Sequence, residues 1–396
     1  MNKNGIKILF LALCLFGMIY FISPAYADTL NSDLAGKIRI AILPLSVPES
    51  RTDLKQYGVG TMDTLITALS NIPDFIMVER AQIEYVLKEQ AFQDTGYVNK
   101  ETAVKIGQIL GAQVLVTGNI QAVGEKIRIT SHFTQVQTGA IIQTAIVTGK
   151  LDEIFDLQDE LAKRLISSQK IDVSPERMEW VSNITKSTKS LEAYGYYLKG
   201  REEYLKLTKA GYEKAIEWYQ KAVKADSEYA LGYAGLGEVY AIIATLARFD
   251  HNKNKAIFYY GLAKKNIDMA LILNPNSSEV YKALGKYYYS IFEGFESIKK
   301  IEETLKKALE INPSDSEIYV DLWLSNPFND TNHPYIKKAL ELNPDSVYAH
   351  YKLALRYQLM QKWDLAYKEL QMVLKINPDY ERAKEDLKDV LKHYKP

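Results

Sequence analysis

The sequence predicts two folded parts of different classes: an α+β domain with a mixed sheet covered by helices, and then an all-α superhelix of repeated helix pairs. Two observations carry this prediction. Between residues 38 and 168, short apolar runs alternate with segments of helical periodicity. After residue 190, an apolar helix end followed by Asn-Pro recurs, and its prolines lie about 31 to 38 residues apart, at Pro275, Pro313, Pro344 and Pro378.

The first part shows strand and helix patterns in an order that favours one sheet with helices packed on it. Gly111 follows a helical stretch directly, which suits the left-handed position after a helix. Gly124 and Gly139 stand where two turns would separate three successive strands. The predicted elements are strands at 37–45 and 75–78, helices at 57–69, 80–92 and 101–110, three strands from 113 to 149, and a closing helix at 151–167.

Residues 1–27 have the three-part organisation of a secretory signal peptide. Lys3 and Lys7 give a positive start, residues 8–22 are almost entirely apolar, and Ala25-Tyr26-Ala27 offers the small residues that signal peptidase reads. We therefore expect export and cleavage before Asp28. An uncleaved anchor is the alternative, although the run is short for a span of about 20 residues.

The residue inventory excludes several classes of protein. Lys+Arg and Asp+Glu both number 49, so the chain lacks the basic excess that a general nucleic-acid binder needs. Cys14 is the single cysteine, which excludes an internal disulfide and a thiolate metal site from the mature chain. Leu13 is too bulky for the position before a lipidated cysteine, so we do not expect Cys14 to be lipidated. Outside the first segment, we expect no helix that crosses a bilayer.

The first part resembles the CsgG and TolB-N-terminal group of bacterial envelope domains. The segments that carry the resemblance are Ile40 to Pro44, Phe75 to Arg80, Val86 to Gln90, Thr102 to Gly107, Leu110 to Ala112, Val116 to Gly118, Arg128-Ile129, Thr138-Gly139 and Leu157 to Glu160. This resemblance implies an envelope location and protein contacts, including self-association, and it implies no chemistry. The chain departs from the curli-secretion member because it has no lipidated cysteine.

The second part resembles a tetratricopeptide (TPR) array. Its last repeat carries Leu353-Ala354, Tyr357, Ala366, Leu370 and Pro378 at the spacings of that family. We predict about five repeats over residues 190–378. The second repeat has an insertion around 245–255, and the fourth is degenerate, with Asn326-Pro327 and His333-Pro334 interrupting its first helix. The remaining predicted boundaries are a CsgG/TolB-N-like domain at 28–168, a linker at 169–189 and a C-terminal capping helix at 379–396.

The TPR resemblance implies that a protein or peptide binds along the concave face made by the first helix of each repeat. Tyrosine and arginine at such positions are frequent binding hot spots. The alternative is that these tyrosines only pack the repeats, since the chain holds 28 of them. The groove positions transferred from the family are Tyr194, Tyr197, Arg201, Glu238, Lys282, Lys286, Tyr289, Tyr348 and Tyr351.

The sequence contains no motif that predicts catalysis, a cofactor or a metal. Its five histidines are scattered, and neither His-Glu-x-x-His nor Gly-x-Ser-x-Gly occurs. We therefore expect a non-catalytic scaffold or adaptor in the periplasm or cell envelope of a bacterium, with peripheral envelope association. Two alternatives stay open: a CsgG-like oligomeric component of curli-type transport at the outer membrane, and a hydrolase of unrecognised type.

Overall fold

The fold comes from a computed structural model, which describes residues 37–70, 72, 74–78, 82–83, 86–87, 100–168, 188, 190–291, 295–313, 315–326, 330–378 and 380–395. The predicted signal peptide lies outside the described residues, as do all of the predicted linker except Thr188 and most of the predicted helix at 80–92. The elements of the first part are β1 (Ile38–Ile42), α1 (Lys55–Ser70), β2 (Phe75–Met77), α2 (Lys100–Ile109), β3 (Val114–Val123), β4 (Lys126–Gln135), β5 (Ala140–Lys150) and α3 (Ile154–Ser168).

The described strands form one mixed sheet in the order β2-β1-β3-β4-β5. β1 pairs in parallel with β2 and β3, whereas β3, β4 and β5 form an antiparallel meander. Gly124 and Gly139 have φ of +60° and +62° in the two meander turns, and Gly111 has φ of +62° just after α2. The predicted strands, turns and helix end are thus confirmed, and so is the predicted fold class of the domain.

Helices cover the two faces of the sheet to different extents. On one face, Ile42, Val116 and Phe133 are buried with residues of α1 and α3 such as Leu65 and Leu161. On the other face, a smaller cluster joins β1 and β3 to α2. The side chains of α1 and α3 therefore build the main core of the domain, and α1 also presents a surface to the repeats.

The second part is an array of antiparallel helix pairs of the TPR type, as predicted. Side chains of Ser, Thr, Asn, Asp or His cap most of the helix starts, and Asn274, Asn343 and Asn377 end α7, α11 and α13. Its helices are α4 (Leu191–Leu205), α5 (Lys209–Ala225), α6 (Ala230–Phe249), α7 (Lys253–Leu273), α8 (Ser278–Ser290), α9 (Phe295–Ile311), α10 (Ser316–Ser325), α11 (Pro334–Leu342), α12 (Val347–Leu359), α13 (Trp363–Ile376) and α14 (Glu381–Val390).

Small residues set the distance between the helices of a pair. A Cβ added at Gly237 would lie 2.4 Å from Ile267, and one added at Gly285 would lie 2.6 Å from Leu305. Such separations are far below van der Waals contact, so only glycine lets the paired helices approach this closely. The sequence-based expectation that small residues serve this purpose is confirmed at both positions.

The two irregular repeats differ from the prediction in detail. The insertion in the second repeat lengthens its helices to 20 and 21 residues. In the fourth repeat, α10 ends at Ser325, so Asn326 and His333 lie between its two helices; the prediction that they interrupt the first helix was wrong. The helix α6 is long and apolar enough to cross a membrane by length and composition, contrary to our expectation, and 72% of its apolar stretch is buried in the fold.

The first repeat packs directly on the α+β domain. Tyr194 and Leu198 of α4 belong to the main core of that domain. The Tyr194 ring meets the Phe155 ring edge-on at 4.8 Å, and its hydroxyl lies 3.4 Å from the Thr64 hydroxyl. Gly60 makes room for both α4 side chains, because a Cβ there would lie 2.6 Å from Leu198. The first repeat therefore continues the core of the domain.

A second contact joins the domain to the far half of the array. Lys37 forms an ion pair of 3.3 Å with Glu341, and Arg39 pairs with Asp345. Leu207, in the turn of the first repeat, packs on the apolar cluster of the fifth repeat and α14. The first repeat thus contacts the fifth repeat, and the first helices of distant repeats come together.

Candidate protein-binding face of the repeat array

The first helices of the repeats place their charged and tyrosine side chains on one shared surface, which we call the inner face. Contacts between repeats that are not neighbours define it: Lys286 of the third repeat contacts Tyr204 of the first and Tyr348 of the fifth. The inner face comprises Arg201, Tyr204, Glu238, Lys282, Lys286, Tyr289, Asp315, Glu317, Asp321, Tyr348, Tyr351, Lys352 and Asp386.

A buried trio from three repeats occupies the centre of the inner face. The Tyr204 hydroxyl donates to Glu238 Oε1 at 2.8 Å, and Lys286 Nζ donates to the same oxygen at 2.5 Å. Burial alone would raise the pKa of Glu238, but Lys286, Lys282 and Arg201 hold that pKa below its usual value. Glu238 is therefore a carboxylate at neutral pH, and its charge is neutralised within the chain.

Lys282 makes a second ionic link between the third and fourth repeats. Its ammonium lies 3.1 Å from both Asp315 Oδ2 and Glu317 Oε2. The Lys282 charge is the main reason that the pKa of Glu317 falls to about 2, although the Glu317 side chain is 38% exposed. This cation is thus fully engaged by the protein itself.

Two tyrosine–aspartate hydrogen bonds continue the inner face towards the end of the chain. The Tyr348 hydroxyl donates to Asp321 Oδ1 at 2.6 Å, and the Tyr351 hydroxyl donates to Asp386 Oδ2 at 2.8 Å. The second Asp321 oxygen is buried, and no described residue gives it a hydrogen bond. Burial raises the pKa of Asp321 above its usual value.

Two cations of the inner face, Arg201 and Lys352, form no direct ion pair with a carboxylate of the described residues, although Arg201 interacts with the charge of Glu238 and Lys352 with that of Asp321. Arg201 lies over the Tyr204 ring at 5.6 Å, and Lys352 lies over the Tyr348 ring at 5.2 Å. Burial lowers the pKa of Lys352 to about 8, and the nearby charge of Asp321 offsets that effect only in part. An incoming carboxylate would supply a further anion beside this lysine.

The sequence-predicted groove residues come together, with the exception of Tyr194. Arg201, Glu238, Lys282, Lys286 and Tyr348 share the central network, and Tyr351 and Tyr289 extend it. The interpretation of Tyr194 as a groove residue was wrong in position, because Tyr194 lies in the core of the α+β domain. Tyr197 packs between the rings of Tyr219 and Tyr229, at 5.7 and 5.4 Å, and it also interacts with the charges of Arg201, Glu238 and Lys282.

The sequence analysis missed several members of the inner face, chiefly Tyr204, Asp321 and Lys352. Each has a sequence signal, because helical residues three or four apart share a face. Tyr204 follows Arg201 by three positions, Lys352 follows Tyr348 by four, and Asp321 follows Glu317 by four. Extending the predicted positions along the helical period would have found Tyr204 and Lys352, whereas Glu317, which leads to Asp321, was itself not predicted.

Comparison with known families supports both halves of the fold. Residues 25–149 match the model of the family described as "curli production assembly/transport component CsgG", and residues 211–241 match a TPR repeat model. Both resemblances seen in the sequence are thus confirmed. The chain joins a CsgG-type domain to TPR repeats, which points to a protein-interaction or envelope-associated role.

Individual relatives are distant. A curated protein named putative adenylate cyclase 3, from Rhizobium meliloti (strain 1021), is 19% identical over 274 residues; the match spans 68% of this chain and only 42% of that protein. Among solved structures, a thermophilic TPR protein from Thermus thermophilus is 17% identical, with a TM-score of 0.41, and 50% of this chain and 99% of that one are covered. The LpoB C-terminal domain from Escherichia coli is 15% identical, with a TM-score of 0.24 over 31% of this chain and 93% of that one.

Proposed function

We propose that this chain is an exported, non-catalytic scaffold of the bacterial cell envelope. In this proposal the inner face of the TPR array holds a segment of a protein partner, while the CsgG-type domain docks on another component or self-associates. The signal-peptide pattern of residues 1–27 supports export, and the family match of residues 25–149 supports the envelope.

The observation that carries the binding role is Lys352, a cation of the inner face that forms no direct ion pair among the described residues and whose burial Asp321 offsets only in part. A buried charge that is only partly compensated is costly, so a protein that keeps one usually has a use for it. The other cations of the inner face, Lys282 and Lys286, already form ion pairs with carboxylates of this chain. We infer that the partner segment carries a carboxylate that pairs with Lys352 when it binds.

Photo-crosslinking in living cells tests this role. A benzophenone amino acid replaces Tyr289, which lies on the inner face and is 38% exposed, or Lys368, which is exposed on α13. We expect a discrete covalent adduct from position 289 that disappears in a Lys352→Met background and returns with Lys352→Arg. An adduct of equal yield from position 368, or one that is indifferent to Lys352, would remove the inner face from the proposal.

The CsgG family match favours one alternative, in which the domain assembles into an oligomeric transport component. Light scattering on the purified chain separates the two ideas. A monodisperse monomer that does not associate with membranes excludes a ring, whereas a defined oligomer that survives deletion of the repeats supports one. Crosslinking from the inner face is independent of that result.

A further inference from the structure

The outer face of the second repeat carries an apolar stripe that no part of the described chain covers. Phe258 is 62% exposed and Ile272 is 76% exposed, and Met269 lies between them on the same helix. Their spacing follows the helical period, so the three side chains share one face of α7 over about 21 Å. Phe249, at the end of the preceding helix, is 66% exposed and extends the stripe at its start.

Lysines accompany this stripe. Lys253, Lys255 and Lys265 are exposed on α7, and none has a carboxylate of the described residues within ion-pair distance. Lys265 lies on the same helical face as Phe258 and Ile272. The whole chain is formally neutral, so this combination of exposed apolar groups and unpaired lysines is a local feature of the second repeat.

The insertion in the second repeat supplies Phe249, Lys253 and Lys255, whereas the rest of the stripe follows it in the chain. The helices α6 and α7 have 20 and 21 residues, against 13 in α8. The seven additional residues of α6 relative to α8 correspond to about 10 Å of helix, and they end at Phe249. Phe258 meets the ring of its neighbour Tyr259 at 5.3 Å, and Phe249 lies 5.7 Å from the Arg248 guanidinium, so these contacts stay within the second repeat.

We propose that this stripe binds an anionic lipid surface, with α7 lying flat on the headgroups. Exposed Phe and Ile beside lysines are typical of helices that lie in a membrane interface. The lysines would contact anionic headgroups while the apolar side chains enter the acyl boundary. A protein partner fits less well, because protein interfaces are depleted in lysine. A second copy of the chain would place like charges against each other. This role goes beyond the proposed binding of a partner by the inner face.

The test uses the full chain and reports on single positions, so that binding through other segments does not confuse it. Cys14 is the single cysteine, and Cys14→Ser gives a cysteine-free background. In that background, Ile272→Cys carries an environment-sensitive fluorophore. Leu359→Cys is the matched control, since Leu359 is 77% exposed and lies on α12, outside the stripe. The probes are vesicles of phosphatidylcholine with 30% phosphatidylglycerol, vesicles of phosphatidylcholine alone, and polyglutamate.

We expect a blue shift and an intensity gain at position 272, and none at 359, with the anionic vesicles. Replacing Lys253, Lys255 and Lys265 together by Gln should weaken that response roughly tenfold or more at low salt. An absent response at 272, an equal response at 359, or a response at 272 to polyglutamate but not to vesicles would each overturn the proposal. The last outcome would point to an acidic protein instead. None of these outcomes depends on the inner face.

Discussion

The inner face of the array and the outer face of its second repeat both carry lysines, but these lysines differ in burial and in pairing. On the inner face, Lys282 and Lys286 are largely buried and bonded to carboxylates from other repeats. On the outer face, Lys253, Lys255 and Lys265 are exposed and hydrated. An exposed charge needs no counterion, whereas a buried one does. The informative cation is therefore Lys352, which is partly buried and forms no direct ion pair among the described residues.

The largest loss of stability is expected when the buried ion pair of the inner face is broken. Lys286→Met removes the cation that bonds Glu238 and leaves that carboxylate in the centre of the inner face. Breaking a buried pair from one side costs about 3 kcal/mol. We expect a clearly lower urea midpoint, partly restored in the double variant Lys286→Met/Glu238→Gln. A single variant as stable as the wild type would show that Glu238 does not depend on its bond to Lys286.

Alanine substitutions at two helical glycines compare the stability of the contact between α4 and the α+β domain with that of the outer face of the second repeat. Gly60→Ala would place a Cβ 2.6 Å from Leu198, so we expect a loss of about 1 to 2 kcal/mol from overpacking. Gly261→Ala meets no atom within 4 Å, and we expect a gain of up to about 1 kcal/mol from helix propensity. Thermal unfolding of both variants measures the difference. A gain at both positions would mean that α4 does not pack on the domain in solution.

Lys352 should lower stability in a way that depends on pH. Its pKa in the folded chain is about 8, below the ordinary value of 10.5, so between these pH values the unfolded chain holds a proton that the folded chain has released. Stability contributed by this site therefore rises with pH across that window. We expect Lys352→Met to be more stable than the wild type by about 1 to 2 kcal/mol at pH 7, and the advantage to vanish near pH 10.5. Urea unfolding at several pH values measures it, with Lys368→Met as the control.

The smallest effect is expected on the outer face. Lys264 pairs with Asp268 at 2.6 Å one helical turn away, and both side chains are about half exposed. Exposed pairs of this kind contribute about 0.3 to 0.5 kcal/mol. Lys264→Gln should therefore change the unfolding midpoint only slightly, and added salt should remove the difference. A change as large as that of Lys286→Met would cancel the contrast between the two faces.

The elements of both halves could be predicted from the sequence because their signals are local. Gly124 and Gly139 mark turns by their backbone freedom, and the recurring Asn-Pro marks helix ends. The pairing of inner-face charges could not be predicted, since it depends on the curvature of the array. The curvature depends on the lengthened second repeat and on the irregular fourth one. No local sequence pattern determines the angles between the helices of these repeats.

Tyr194 and Tyr348 show why the candidate site could be predicted from the sequence only in part. Both are tyrosines at comparable positions of a first helix, and both were predicted to face a partner. Tyr348 bonds Asp321 on the inner face, while Tyr194 enters the core of the α+β domain beside Gly60. The residue that decides between these places lies 134 positions away in the chain, so the helix containing Tyr194 holds no sign of it.

The most direct test of the central claim measures affinity and stability on the same variants. The partner segment captured from position 289 is titrated into the wild type, Lys352→Met and Lys368→Met, and each protein is also unfolded in urea. Our account predicts that Lys352→Met is more stable at pH 7 and binds the segment at least tenfold more weakly, while Lys368→Met changes neither. A Lys352→Met protein that binds as tightly as the wild type would contradict the claim that the inner face binds its partner through an unpaired cation.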